Sequence, residues 1–182
     1  MTIANKLTIA RMIVIPIIIA VYYLPIPGAT YWTAALFILA SITDLIDGKL
    51  ARARNEVTTF GKFMDPIADK LLVSALLVLL TGSGQIHPVI TFVIIAREFI
   101  VSGIRLLAVS GDSSNVIAAS WLGKIKTTVQ IIAIIAILIN DFPFSYLGIP
   151  VGQIAIWAAA FFTVWSGADY FIKNWKLIGE SK

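Results

Sequence analysis

Six predominantly apolar runs, at residues 7–26, 31–53, 63–81, 87–109, 119–140 and 148–172, set the fold class of this 182-residue chain. A helix rises about 1.5 Å per residue, so about 20 apolar residues cross the roughly 30 Å of hydrocarbon in a bilayer. Each run approximates that length. The breaks between them are built from turn formers: Pro25, Pro27 and Gly28, then Gly82, Ser83 and Gly84, then Asp141 and Pro143. Pro16 lies inside the first run and is expected to kink it. Composition agrees, with 59% hydrophobic and 13% charged residues and a mean hydropathy of +0.92. A soluble domain of this size needs more polar surface than that. The expectation is an all-α polytopic membrane protein with six transmembrane helices. It should form one domain over residues 1–182, because no linker-like stretch divides the runs. The first run is too long for the apolar region of a cleaved signal.

Charge placement gives the orientation. An even number of spans puts both termini on one side. Lys6, Arg11, Arg52, Arg54, Lys62, Arg105, Lys124, Lys126 and Lys173 fall on that side, whereas the opposite loops near 27–30, 82–86 and 141–147 hold no Lys or Arg. Cytoplasmic loops carry the Lys/Arg excess, so both termini are expected in the cytoplasm. The same asymmetry accounts for the net charge of +4 without a nucleic-acid partner. Anionic lipid head groups or phosphorylated substrates would meet the basic face. With no cysteine and a single histidine, His87 at the far end of a run, thiolate chemistry and a Ser-His-Asp site are excluded.

Four carboxylates sit where hydrocarbon penalises them. Asp44, Asp47, Asp65 and Asp69 lie inside or at the edge of apolar runs, at a cost of about 2.5–3.5 kcal/mol each near a helix centre. Asp44 and Asp47 are three apart and Asp65 and Asp69 four apart, so each pair shares a helical face. A short cytoplasmic connection makes the two helices antiparallel neighbours. Facing carboxylates repel unless a cation lies between them. Hard oxygen donors without His or Cys favour Mg²⁺, Mn²⁺ or Ca²⁺, and two such ions can clamp a phosphoryl group. The plainer alternative is a set of salt bridges to Lys49, Arg52, Lys62 and Lys70. A divalent-cation transporter is a further reading, although the acidic face is confined to one end and does not cross the bilayer.

From Asp44 the chain reads Asp44-x2-Asp47-Gly48-x2-Ala51-Arg52-x8-Gly61-x3-Asp65-x3-Asp69. This pattern resembles the signature of the CDP-alcohol phosphotransferase family, with every fixed position filled. The resemblance implies two divalent ions, Mg²⁺ or Mn²⁺, held by Asp44, Asp47, Asp65 and Asp69, with Asp69 also as general base. It implies a donor nucleotide and pyrophosphate site at Gly48, Ala51, Arg52 and Gly61. Small residues there let a nucleotide approach the helix backbone; tight helix packing would also need them. Arg52 offers a fork of donors to phosphate, or snorkels to the interface. A bacterial cell-membrane location with the site facing the cytoplasm, and a homodimer, are further implications.

Three flanking stretches, Asn5 to Arg11, Ala96 to Arg105 and Gly123 to Thr127, resemble the branch that makes phosphatidylglycerol phosphate. Its donor is CDP-diacylglycerol and its acceptor is sn-glycerol 3-phosphate. The residue types suit a dianionic acceptor. Asn5, Thr8 and Arg11 share a face if that stretch is helical. Arg97 lies deep in the fourth run, and Glu98, seven residues before Arg105, is placed to orient that guanidinium. Lys124 and Lys126, with Gln130 a turn later, complete a cationic pocket, unless the lysines are ordinary interfacial anchors. Inositol phosphate, serine or phosphatidylglycerol stay open as acceptors.

Overall fold

The computed structural model describes the backbone of residues 3–53, 59–110 and 121–173, and the side chains of 8–43, 67–68, 70–104 and 121–172. Among the described residues the chain is all-helical. The helices are α1 (Ile3–Tyr23), α2 (Ala29–Ala53), α3 (Thr59–Gly82), α4 (Pro88–Ser110), α5 (Trp121–Leu138) and α6 (Val151–Lys173), with one 3-10 turn at Phe144–Leu147. They follow the six apolar runs in order. α1 starts earlier than its run because Asn5 and Lys6 continue the helix, and it runs on through Pro16.

Two of the helices, α5 and α6 up to Ile172, are long and apolar enough within the described residues to cross a membrane. Shorter apolar stretches occupy Thr8–Tyr23, Ala29–Thr43 and Lys70–Gly82. α5 and α6 pack most extensively; α1 lies against α2 and α3, α4 against α6 and α3, and α5 also meets α2 and α3. The core is aliphatic, with Ile18, Phe37, Leu76, Leu80, Ile94, Ile134, Leu138 and Ile156 fully buried. The outside is equally apolar: Phe92, Trp121 and Ile172 are 71%, 77% and 75% exposed. Water would penalise such a surface.

Hydroxyls in this apolar body are satisfied locally. Thr33, Ser41, Thr81, Ser102 and Thr163 each donate to the carbonyl four residues back.

Side chains tie the connecting loops together at one end. Gln85 Nε2 donates to Tyr22 Oη at 3.0 Å, and Gln153 Nε2 donates to the Gln85 carbonyl at 2.6 Å. The Asp141 carboxylate accepts the Gly152 N–H at 2.6 Å, capping the first turn of α6. These contacts bring the α1–α2, α3–α4 and α5–α6 connections to one end. The start of α1, the end of α2 and the starts of α3 and α5 therefore share the other.

Candidate active site

The Asp motif lies on two helices that both rest on α1. Asp44, Asp47, Gly48, Ala51 and Arg52 fall in the last turns of α2, and Gly61, Asp65 and Asp69 in the first turns of α3. Each i, i+3 or i, i+4 pair is therefore on one helical face, as its spacing requires. The side chains of these eight residues lie outside the described residues. The donor set itself suits a hard divalent ion: four carboxylates on the last turns of α2 and the first turns of the next helix, α3, in a chain without cysteine.

The described part of the site is basic and buried. Thr8 and Arg11 are 2% and 7% exposed on α1, so their inward face is shared as the threefold spacing required. Asn5 is on the same helix, its side chain outside the described set. Lys126 on α5 is 1% exposed, and its ammonium donates to Glu98 Oε1 on α4. Arg97 Nη1 approaches the same carboxylate oxygen at 3.6 Å. One carboxylate thus serves two cations from different helices. A buried ammonium needs that partner, because an uncompensated charge in an apolar interior is costly. α5 meets α3, and the start of α5, with Lys126, is at the same end of the bundle as the start of α3.

Arg97 reaches this position because α6 has no side chain in its way. A Cβ at Gly167 would lie 3.2 Å from Arg97 Cγ. The Arg97 stem then lines a cavity of about 560 Å³ between α4 and α6, with Phe92, Ile100, Thr163 and Tyr170. An apolar cleft with a cation at its wall matches a snorkelling arginine.

Glu98 bonds Lys126 and neighbours Arg97, and Arg105, the partner expected for it, has its side chain outside the described residues. Spacing rules relate residues within one helix and are silent about pairs between helices. The available signal was that α5 has two lysines and no carboxylate, while α4 has Glu98 and no other carboxylate. Lys124 is exposed while Lys126 is buried, two residues apart and on different faces of α5. The two lysines therefore leave α5 in different directions. Gln130, one turn beyond Lys126, is 2% exposed, and its carboxamide oxygen meets no donor among the described residues. His87 is exposed at the loop end, where its Nδ1 accepts the Val89 N–H at 3.3 Å.

Residues 1–165 match the CDP-alcohol phosphatidyltransferase family. The chain belongs to that family. A Bacillus subtilis relative is 46% identical over 97% of both chains, and its name is CDP-diacylglycerol–glycerol-3-phosphate 3-phosphatidyltransferase. Relatives of the same name from Rickettsia bellii and Shigella flexneri are 44% and 40% identical, each over 92% of both chains.

Proposed function

We propose that this chain is an integral membrane enzyme that transfers the phosphatidyl group of CDP-diacylglycerol to sn-glycerol 3-phosphate, giving phosphatidylglycerol phosphate and CMP. The observation that carries this reading is near full-length similarity to relatives that bear that activity in their name. The complete Asp motif on α2 and α3, with a buried lysine at the same end of the bundle, supports it.

The terminal hydroxyl oxygen of the acceptor attacks the lipid-side phosphorus. A new P–O bond forms, the pyrophosphate P–O bond breaks, and CMP leaves with the bonding pair. Asp69 receives the hydroxyl proton. Arg52 pairs with donor phosphate, and Gly48, Ala51 and Gly61 leave room for the nucleotide against the helices. Asp44, Asp47, Asp65 and Asp69 would hold two divalent ions, Mg²⁺ or Mn²⁺, whose chemistry is to offset charge on the pyrophosphate oxygens. Thr8, Arg11, Arg97 and Lys126 receive the acceptor phosphate, with Asn5, Arg105 and Lys124 nearer the entrance. The six helices span the bilayer with both termini and the site on the cytoplasmic side. The absence of Lys and Arg from the opposite loops supports that orientation. Membrane lipids surround the apolar exterior, and a homodimer belongs to the same proposal by family resemblance.

The test is CMP release by purified protein in mixed micelles with CDP-diacylglycerol, with and without Mg²⁺ and sn-glycerol 3-phosphate. Release that requires both is expected. Release only with another alcohol would keep the family and discard this acceptor. Flux of Mn²⁺ into liposomes without any CMP release would favour a transporter. For the base, Asp69→Asn is expected to lose turnover; activity within a few-fold of wild type would remove Asp69 from that role.

A further inference from the structure

Gln130 poses a chemical question that the proposed reaction does not answer. It is a carboxamide at 2% exposure, in a helix whose other buried residues are Lys126 and four aliphatic side chains. Its oxygen has no hydrogen-bond donor among the described residues. A buried acceptor left unpaired is destabilising, so a natural chain holds one where a partner arrives. Gln130 is four residues after Lys126 on the same face, which separates their Cβ atoms by about 5–6 Å. Lys126 is anchored by Glu98, which occupies one of the three ammonium donors and leaves two for an anion.

Chemistry narrows what the oxygen would accept. A carboxamide oxygen accepts and does not donate. A phosphate dianion has no proton to give. The reacting hydroxyl gives its proton to the base as it attacks. An acceptor with a second hydroxyl beside its phosphate has one donor left. We propose that Gln130 is a specificity-determining residue of the acceptor site. It accepts a hydrogen bond from the non-reacting hydroxyl of a phosphorylated polyol, while Lys126, positioned by Glu98, takes the phosphate. This rests on the phosphatidyl-transfer reading and adds to it a reason for choosing a triol phosphate over a diol phosphate.

The experiment compares sn-glycerol 3-phosphate with 3-hydroxypropyl phosphate, which keeps the reacting hydroxyl and the phosphate but lacks the middle hydroxyl. Wild type is expected to favour glycerol 3-phosphate in kcat/KM by about tenfold or more, the scale of one buried acceptor left unmet. Gln130→Leu and the volume-conserving Gln130→Met are expected to shrink that preference to within about twofold, mainly through KM for glycerol 3-phosphate. The KM for CDP-diacylglycerol reports on the donor side in each variant. Glu98→Gln is expected to raise KM for both acceptors alike and leave their ratio near the wild-type value, as loss of a lysine's positioning would. A wild-type ratio near one, or a preference that survives in either Gln130 variant, overturns the proposal. A wild-type enzyme that ignores glycerol 3-phosphate but uses another acceptor overturns the reaction assignment instead.

Discussion

The two ends of the helix bundle solve the problem of polar groups in opposite ways. At the loop end several polar side chains are matched to one another or to backbone groups. Tyr22, Gln85 and Gln153 form a chain of hydrogen bonds across three connections, and Asp141 caps α6. No Lys or Arg is present in those loops. At the other end, Lys126 is fully buried, Arg97 shares its carboxylate, Gln130 has an oxygen with no donor among the described residues, and four aspartates sit on the last turns of α2 and the first turns of α3. Groups arranged for stability alone would not be placed so expensively. The contrast sets a loop end that ties the fold together against a charged end where the proposed chemistry would lie.

The strongest way to break this division is to neutralise one aspartate. Asp65→Asn is expected to lower CMP release by at least about a hundredfold, since loss of even an outer partner of a metal site costs 10- to 100-fold. Chelation of divalent ions should do the same to wild type and be reversed by Mg²⁺. Folding should survive, because removing one of several mutually repelling carboxylates relieves strain. A variant with wild-type turnover would show that the cluster is structural.

Next comes the buried ion pair, where the two partners should differ. Glu98→Gln leaves the Lys126 ammonium uncompensated and is expected to destabilise by up to about 3–5 kcal/mol, the range for breaking a buried pair. Lys126→Met removes the buried charge itself and leaves Glu98 beside Arg97. It is expected to cost less stability but to raise the acceptor KM by about tenfold or more. Thermal unfolding in detergent and acceptor titrations check both. Equal stability loss in the two variants would contradict this asymmetry.

A smaller effect of the opposite kind is expected from Gly152→Ala. The added Cβ would lie 2.6 Å from Ile137 Cγ1 and 3.0 Å from the Ile137 backbone nitrogen. Backbone does not yield as a flexible side chain does, so α5 and α6 must separate, at about 1–3 kcal/mol. The unfolding temperature should fall while the KM values for donor and acceptor hold.

Much of this division was legible in the sequence. Six helices follow from six apolar runs, and the turn residues Gly28 and Gly84 fall at the connections with φ of +73° and +75°. Thr8 and Arg11 face inward as their spacing required. The Asp motif fell on two consecutive helices because the eight residues between Arg52 and Gly61 hold the polar break between the two apolar runs. Contacts between helices distant in sequence were not legible. Periodicity specifies which face of a helix turns inward and is blind to what it meets, so the Glu98–Lys126 bond between α4 and α5 was not foreseen. The different exposure of Lys124 and Lys126 follows from the helix itself, since a two-residue step rotates a side chain by about 200°. Gln130 was visible as a neighbour of Lys126, but its oxygen without a donor among the described residues emerged only from the packed helices.

The mildest change tests the division most finely. Tyr22→Phe removes one hydroxyl, the acceptor for Gln85 Nε2 at 3.0 Å. Gln85 keeps its second connection, because Gln153 bonds its backbone carbonyl and not its side chain. The ring of Tyr22 stays in its packing position, and both residues are only partly buried, so water can replace the lost partner. The net cost should therefore lie at the low end of about 0.5–1.5 kcal/mol for one hydrogen bond, read as a small drop in unfolding temperature. Turnover and the acceptor KM should match wild type, because α1 carries its functional residues, Thr8 and Arg11, more than two turns away along the helix. A changed acceptor KM in Tyr22→Phe would mean that α1 transmits a displacement from the loop end to Arg11, and that the two ends act as one device.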